Sequence, residues 1–463
     1  MLENAKRWVN PINTSNKAKK IRRSMMAGLA TFAVAILLFA QIVLSADEAK
    51  MPAQESLYAR SAALIDGDTG RLLYGKEEDV ILPMASTTKI MTCILVLEMM
   101  EPEEICTASA YAASQPQVHL GVQKGWSFRC EDLLYSLMLE SHNDTAVILA
   151  EAAAGSVEGF ATWMNKKAKE IGLSQTHFVT PNGLDNEAHY TTARELALLL
   201  RYCIRTSPKS KEFLKITRTA QYEFTDTTGK YSFSVYNHNA FLQMMDGALT
   251  GKTGFTGKAG YCYVGALERD GRLYIVSLLA CGWPGNKSYK WADTKKLMNY
   301  GLSAYETKKL ETPTVPKMSA SVIDGVYDWT KQTKSQVKLI CPDAPDKYQV
   351  LAKDGEKIEI QIRARKELAS PVLEDEVCGK VSFWLSEVCL GTYPIYPEQA
   401  VVEAKALDTE MIRSQLQEFL DEYNKNQPTY RRITGLVIRK NPFIRSTTKK
   451  IRRQDVLIDE PQA

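Results

Sequence analysis

The chain has 463 residues, 45% of them hydrophobic, and 58 Lys or Arg against 54 Asp or Glu for a net charge of +4. That length and apolar share suffice for two or three domains and exclude wholesale disorder. Composition decides nothing finer.

Residues 1–50 read as a basic leader followed by a signal peptide or membrane span. Met1 to Arg23 carries seven Lys or Arg against one Glu, Met25 to Leu44 is uncharged and mostly apolar, and acidic Asp47-Glu48 follows. The basic flank belongs in the cytoplasm, which puts the rest of the chain outside. About 20 residues at ~1.5 Å rise each suit a single span, while Val43-Leu-Ser45-Ala46 is a tolerable signal-peptidase site. Either outcome gives an extracytoplasmic protein, secreted or attached to the outer face of the membrane, with no nucleic-acid partner.

Ala62 to Ile65, the turn Asp66-Gly-Asp-Thr-Gly70 and Leu72 to Tyr74 read as a hairpin. After Pro83 comes Met84-Ala-Ser86-Thr-Thr-Lys89, then an apolar run to Met100 with no Gly or Pro, which predicts a buried helix. With Ser86 at its mouth, Lys89 falls one turn on, its amine in reach of the serine hydroxyl. The plain alternative makes Ser86 an N-cap and Lys89 a solvated charge. Two further Ser-x-x-Lys, from Ser335 and Ser446, have no such helix behind them.

Glu131 to Glu140 reads as a second helix, and Asn143-Asp144-Thr145 opens a third that runs from Ala146 to Ala154 and stops at Gly155. Ser141 and Asn143 therefore fall on a tight corner where both can face one cleft, with His142 directed elsewhere. Helix capping alone explains Asn143 easily and Ser141 less well.

Gly251-Lys252-Thr253-Gly254-Phe255-Thr256 leads into a hairpin of Tyr261 to Leu267, the turn Asp270-Gly271 and Leu273 to Ala280. On a sheet edge its two glycines would let a substrate backbone pair with the strand. Thr253 could hold a carboxylate and Lys252 supply the charge it needs. A charged edge strand is also ordinary protection against aggregation.

Ser86-x-x-Lys89, Ser141-x-Asn143 and Lys252-Thr253-Gly254 are the trio of class A β-lactamases and penicillin-binding proteins. Beyond the trio, Pro181-Asn-Gly-Leu-Asp185, His189-Tyr-Thr-Thr-Ala193, Asn237-His-Asn239 and Ala259-Gly-Tyr-Cys262 resemble the low-molecular-mass penicillin-binding proteins, the serine-type D-alanyl-D-alanine carboxypeptidases. The likeness is strongest from Glu55 to Tyr305 and loosens toward Val402.

The resemblance implies Ser86 as nucleophile, Lys89 as its proton acceptor, and Ser141 with Asn143 as relay and substrate anchor. It implies that Lys252, Thr253 and Gly254 bind the substrate, with an oxyanion hole from the amides of Ser86 and of Phe255 or Thr256. The implied substrate is a peptidoglycan stem pentapeptide, with β-lactam antibiotics as covalent inhibitors. The rivals are a penicillin sensor that stays acylated and a β-lactamase. A lysine can accept the serine proton only when neutral, which its reference pKa near 10.4 forbids at neutral pH; burial and the nearby charge of Lys252 are expected to lower it. No metal or other cofactor is expected, since His119, His142, His177, His189 and His238 lack ligand spacing.

The expected fold is an α/β serine β-lactamase/transpeptidase-like sandwich, an antiparallel sheet with helices on both faces and a helical insertion, over residues 55–310, with Ser288 to Tyr305 as closing helix. Strand alternation at Ile358, Ile360 and Ile362 and at Val381, Phe383 and Leu385 predicts a small all-β domain over 316–402. Residues 403–463 read as an acidic helix, Asp408 to Tyr423, and a basic tail whose ten Lys or Arg from Lys425 to Arg453 suit a membrane surface or a solvated extension. Of nine cysteines, Cys106 and Cys130 are placed to pair across two strands; the alternative is nine free thiols.

Overall fold

The computed structural model describes residues 50–323, 336–401 and 409–433. The expected N-terminal span and most of the basic tail lie outside the described residues. The described chain divides into two compact units.

The first unit is built on a five-stranded antiparallel sheet. Strands β1 (Ser61–Asp66) and β2 (Leu72–Lys76) form the expected hairpin. The helical insertion follows: α1 (Lys89–Met99), a small ladder of β3 (Ile105–Thr107) and β4 (Ser127–Arg129), then α2 (Cys130–Leu139), α3 (Asn143–Ala154), α4 (Val157–Glu170), α5 (Ala193–Arg201) and α6 (Ser210–Arg218). A second hairpin, β5 (Gln221–Thr225) and β6 (Ser232–Tyr236), precedes β7 (Ala248–Thr256), β8 (Gly260–Arg269) and β9 (Arg272–Leu279), and α7 (Tyr289–Ala304) closes the layer. The order β2-β1-β9-β8-β7 leaves β7, with its Lys-Thr-Gly, at the edge.

Because a strand sends successive side chains to opposite faces, a sheet covered on both sides needs apolar residues at nearly every position. β1 and β9 meet this. Ala63, Ile65 and Ile275 enter a core with α1 to α6, whereas Ala62, Leu64 and Val276 enter a second core with Leu297 and Met298 of α7. Helix α1 is buried over Lys89–Leu97, as an apolar segment without Gly or Pro requires. The corner between α2 and α3 is fixed from outside. The buried Asp144 carboxylate accepts the amides of Leu120, Gly121 and Thr145 at 2.8–2.9 Å, tying the 118–122 loop across it.

This unit also takes in residues 347–359 and 384–390. β10 (Glu306–Glu311) continues from α7 and, skipping β11 (Met318–Ile323) and β12 (Gln336–Ile340), pairs antiparallel with β13 (Lys347–Ala352). The second unit holds a six-stranded sheet in the order β14-β16-β17-β12-β11-β15, with β14 (Glu359–Ala364), β15 (Glu367–Ala369), β16 (Gly379–Leu385) and β17 (Val388–Pro397). Val381, Phe383 and Leu385 are buried, as the alternation predicted. The acidic helix is α8 (Thr409–Lys425). Among the described residues no helix is long and apolar enough to cross a membrane.

Cys93, Cys106, Cys130, Cys203, Cys262, Cys281, Cys341 and Cys378 are free, and all of these but Cys341 are buried. Cys106 on β3 and Cys130 at the start of α2 are not joined by a disulfide, but their thiols meet as the sequence placed them, in a hydrogen bond that lowers the Cys106 pKa and raises that of Cys130.

Candidate active site

A 3-10 turn, Ala85–Thr88, precedes α1 and carries Ser86. Ala85 adopts φ 49°, and the turn is held by Thr87 Oγ1 donating to the Met84 carbonyl at 2.6 Å and Thr88 Oγ1 donating to that of Ala85 at 2.8 Å. Ser86 makes no capping bond to α1, so the N-cap alternative does not describe it. Lys89, the first residue of α1, is fully buried, and its Nζ lies 3.0 Å from Ser86 Oγ.

Two acceptors hold that amine from the other side: Asn143 Oδ1 at 2.8 Å and the Asn182 carbonyl at 2.6 Å. Asn143 is itself oriented by its Nδ2 donating to the Pro116 carbonyl at 3.1 Å. A neutral amine has two N–H donors and one lone pair. With both donors spent on Asn143 and Asn182, the lone pair is left facing the Ser86 hydroxyl. Burial, and then the charge of Lys252, hold the Lys89 pKa well below the usual lysine range. Burial thus favours the neutral amine, and in that form the geometry lets it take the serine proton.

Across the hollow, Ser141 sits at the α2–α3 corner with φ 69°, an uncommon conformation for a non-glycine residue. Its Oγ accepts a hydrogen bond from Lys252 Nζ at 2.9 Å, and the same ammonium reaches the Thr253 carbonyl at 3.0 Å. Burial brings the Lys252 pKa down to about 7. His142 turns away, and Ser136 Oγ lies 2.8 Å from its Nδ1. Ser86, Ser141, Asn143, Lys252, Thr253 and Gly254 line one hollow of about 520 Å³, with Lys89 buried beneath it.

The loop carrying Asn182 is the part that the sequence reading left without a role. His189 ties it to the serine turn. Its Nδ1 accepts the amide of Val179 at 3.0 Å, so its proton resides on Nε2, 2.8 Å from Thr88 Oγ1. Burial lowers its pKa to about 4, keeping the ring neutral. Asn182 Nδ2 in turn donates to Gln115 Oε1 at 2.9 Å. The signal in the sequence was the Pro181-Asn182-Gly183 segment itself, but a backbone carbonyl has no sequence signature.

Gly183 belongs to the same contact. At φ +83°, a Cβ there would lie 2.1 Å from the Ala85 carbonyl, whereas one at Gly229, φ +68°, would meet nothing within 4 Å. Both share the left-handed penalty of roughly 1–2 kcal/mol. Gly183→Ala is therefore expected to lower Tm clearly more than Gly229→Ala. Equal shifts would show that the serine turn yields freely.

Comparison with known proteins gives the site its context. The sequence profile of the Peptidase S11 family, D-alanyl-D-alanine carboxypeptidase, matches residues 48–280. The chain is similar to D-alanyl-D-alanine carboxypeptidase DacF of Bacillus subtilis (strain 168), 28% identical over 388 residues that cover 81% of this chain and 95% of the relative. It is similar to DacC of Escherichia coli (strain K12), 28% identical over 397 residues, covering 82% and 93%. Among solved structures, penicillin binding protein 5 from Haemophilus influenzae superposes with a TM-score of 0.57 at 25% identity, covering 76% of this chain and 100% of that one. DacD from Francisella tularensis, at 23% identity and a TM-score of 0.56 over 77% of this chain and 97% of that one, shares the fold.

Proposed function

This chain belongs to the Peptidase S11 family of D-alanyl-D-alanine carboxypeptidases, and from that premise we propose how its residues divide the work. The observation that carries the reading is the buried Lys89 amine, fixed by Asn143 and Asn182 with its free side 3.0 Å from Ser86 Oγ.

Ser86 Oγ attacks the carbonyl between the two terminal D-alanines while its proton passes to Lys89 Nζ. The oxyanion rests on the Ser86 amide and an amide of β7 just after Gly254, Phe255 or Thr256. This is supported by the close approach of the two backbones, since a Cβ at Gly254 would stand 3.0 Å from the Ser86 nitrogen. As the C–N bond breaks, Ser141 gives its hydroxyl proton to the leaving D-alanine nitrogen and recovers the one that Lys89 took from Ser86, while Lys252, its partner at 2.9 Å, steadies the charge on its oxygen. Water then attacks the acyl-Ser86 ester; Lys89, neutral again, takes its proton and returns it to Ser86 Oγ as the ester bond breaks. Asn143 positions both lysine and substrate, and Thr253 and Gly254 receive the substrate backbone and terminus.

The finer substrate is the stem pentapeptide of peptidoglycan, so the reaction limits cross-linking and bears on cell shape, and β-lactams acylate the same serine. The basic leader and apolar run of residues 1–50 support an extracytoplasmic enzyme, exported or tethered to the outer face of the membrane; the basic tail supports a second attachment to anionic lipid.

The test measures D-alanine released from an acyl-D-Ala-D-Ala peptide, then the mass of the protein after penicillin. Steady turnover with an adduct on the peptide bearing Ser86 is expected. A penicillin adduct without D-alanine release would favour the sensor, and fast penicillin turnover the β-lactamase.

A further inference from the structure

Between β3 and α2 the chain makes one excursion whose tip serves the catalytic lysine. From it the Pro116 carbonyl accepts Asn143 Nδ2 at 3.1 Å, the Val118 carbonyl accepts the Asn143 amide at 2.7 Å, and Gln115 Oε1 accepts Asn182 Nδ2 at 2.9 Å. Asn143 and Asn182 are the residues whose oxygens hold the Lys89 amine. The backbone closes the excursion at its neck with the short β3/β4 ladder, Ile105 opposite Arg129, Cys106 opposite Phe128 and Thr107 opposite Ser127. Two strands of this length hold weakly by their own hydrogen bonds.

Two thiols stand at that neck. The Cys130 amide donates to the Glu104 carbonyl at 2.8 Å, which carries the ladder one residue past β4 and sets Cys130 diagonally across from Cys106. Side chains directly opposite, and those two residues further along, share one face of a ladder. Cys106 and Cys130 accordingly enter the same core, at 0% and 1% exposure, together with Phe128. There the thiols are hydrogen-bonded to each other. A cross-link at this place would close the neck covalently and leave the tip, with its contacts to Asn143 and Asn182, untouched.

Resting on the extracytoplasmic reading, we propose that Cys106 and Cys130 are a disulfide-forming pair, oxidised by a disulfide-bearing carrier as the exported chain folds, which locks the loop that positions the base. Cys106, as thiolate, attacks the carrier disulfide; one carrier sulfur leaves as thiolate and a mixed disulfide remains. The Cys130 thiolate then attacks Cys106 Sγ and expels the second carrier sulfur. The protein gives up two electrons to form its S–S bond, the carrier disulfide is reduced to two thiols, and the protons lost by the two cysteines end on them. Burial sets the order of events. A carrier cannot reach either sulfur in the folded core, so the exchange belongs to the folding chain, and the same burial shields the finished bond from reductants outside. A compartment without reducing thiols is where such a bond persists.

The test refolds the full chain from denaturant, in one sample with dithiothreitol and in another with mixed reduced and oxidised glutathione. Each sample is alkylated, digested without reduction and mapped by mass. Glutathione takes the place of the carrier, so the outcome does not depend on where the protein resides. In that sample a peptide pair joined at Cys106 and Cys130, two hydrogens lighter than the separate peptides, is expected, with a Tm higher by roughly 5–10 °C than in the dithiothreitol sample, as fits closure of a loop of this size. In Cys106→Ala the two samples should share one Tm. The wild-type comparison needs no variant, so a poorly folding Cys106→Ala leaves it intact. Free Cys106 and Cys130 in the glutathione sample, a bond from Cys130 to Cys93 of α1 instead, or a cross-link that leaves Tm unchanged overturns the assignment.

Discussion

Ser86→Ala is expected to lower D-alanine release by about 10⁴-fold or more and to abolish the covalent penicillin adduct, while leaving the protein folded. The magnitude follows from the role of the residue, since loss of the nucleophile removes the acyl-enzyme route and leaves only binding and oxyanion stabilisation. The fold has little stake in the hydroxyl. Ser86 makes no cap, and its other contact is a long 3.5 Å approach to the Asn182 carbonyl. The check is twofold: the rate of D-alanine release, and the intact mass after incubation with penicillin. A variant that still releases D-alanine at a tenth of the wild-type rate, or still gains the adduct, would remove Ser86 from the mechanism.

Lys89→Met is expected to slow acylation by about 10³-fold, because a methionine fills the space but cannot accept the proton. Its stability should move with pH in a defined direction. In the unfolded chain each lysine keeps its proton until about pH 10.4. In the folded protein Lys89 loses it well below that value, and Lys252 near pH 7. Across the interval the unfolded state binds more protons, so folding becomes more favourable as pH rises, by up to about 1.4 kcal/mol per pH unit per lysine. The penalty for burying the amine is full below the folded-state pKa and gone above 10.4. Wild type should therefore gain stability relative to Lys89→Met as pH is raised from 7 to 10. Denaturant unfolding at several pH values checks this, and a difference that stays constant, or shifts in favour of the variant, would mean that Lys89 is charged when folded. The rate shows the same ionisation: wild-type acylation should rise with pH along its acid limb as Lys89 becomes neutral. In Lys252→Met that limb should move to higher pH, since the neighbouring cation is gone.

Much of the site was legible because its chemistry is written in side chains at short spacings. Ser86 and Lys89 are one helical turn apart, and Ser141 and Asn143 share one corner, so local geometry alone predicts each pair. The sheet was legible for the same reason, its strands being apolar without interruption or cut by Asp-Gly turns. What stayed hidden depends on long-range packing. The Asn182 carbonyl reaches Lys89 across 93 residues and belongs to the backbone, which no residue type announces. Lys290 looks like one of many surface lysines until α7 lays it between two rings.

The way β13 returns to β10 bears on any attempt to trim this protein. A shortened chain ending near Pro313 would look like a whole catalytic module by sequence, yet it would lose β13 and the turn after it. Arg71, 2% exposed, would then lose Glu356, whose Oε2 accepts from both guanidinium ends at 3.2 Å, and Leu351 would vanish from the core beneath α7. Stranding a buried charge costs about 3–5 kcal/mol, a large share of what holds a domain together. Residues 347–359 and 384–390 belong to the same compact unit as Ser86, so that unit is not closed by the chain before Pro313 alone.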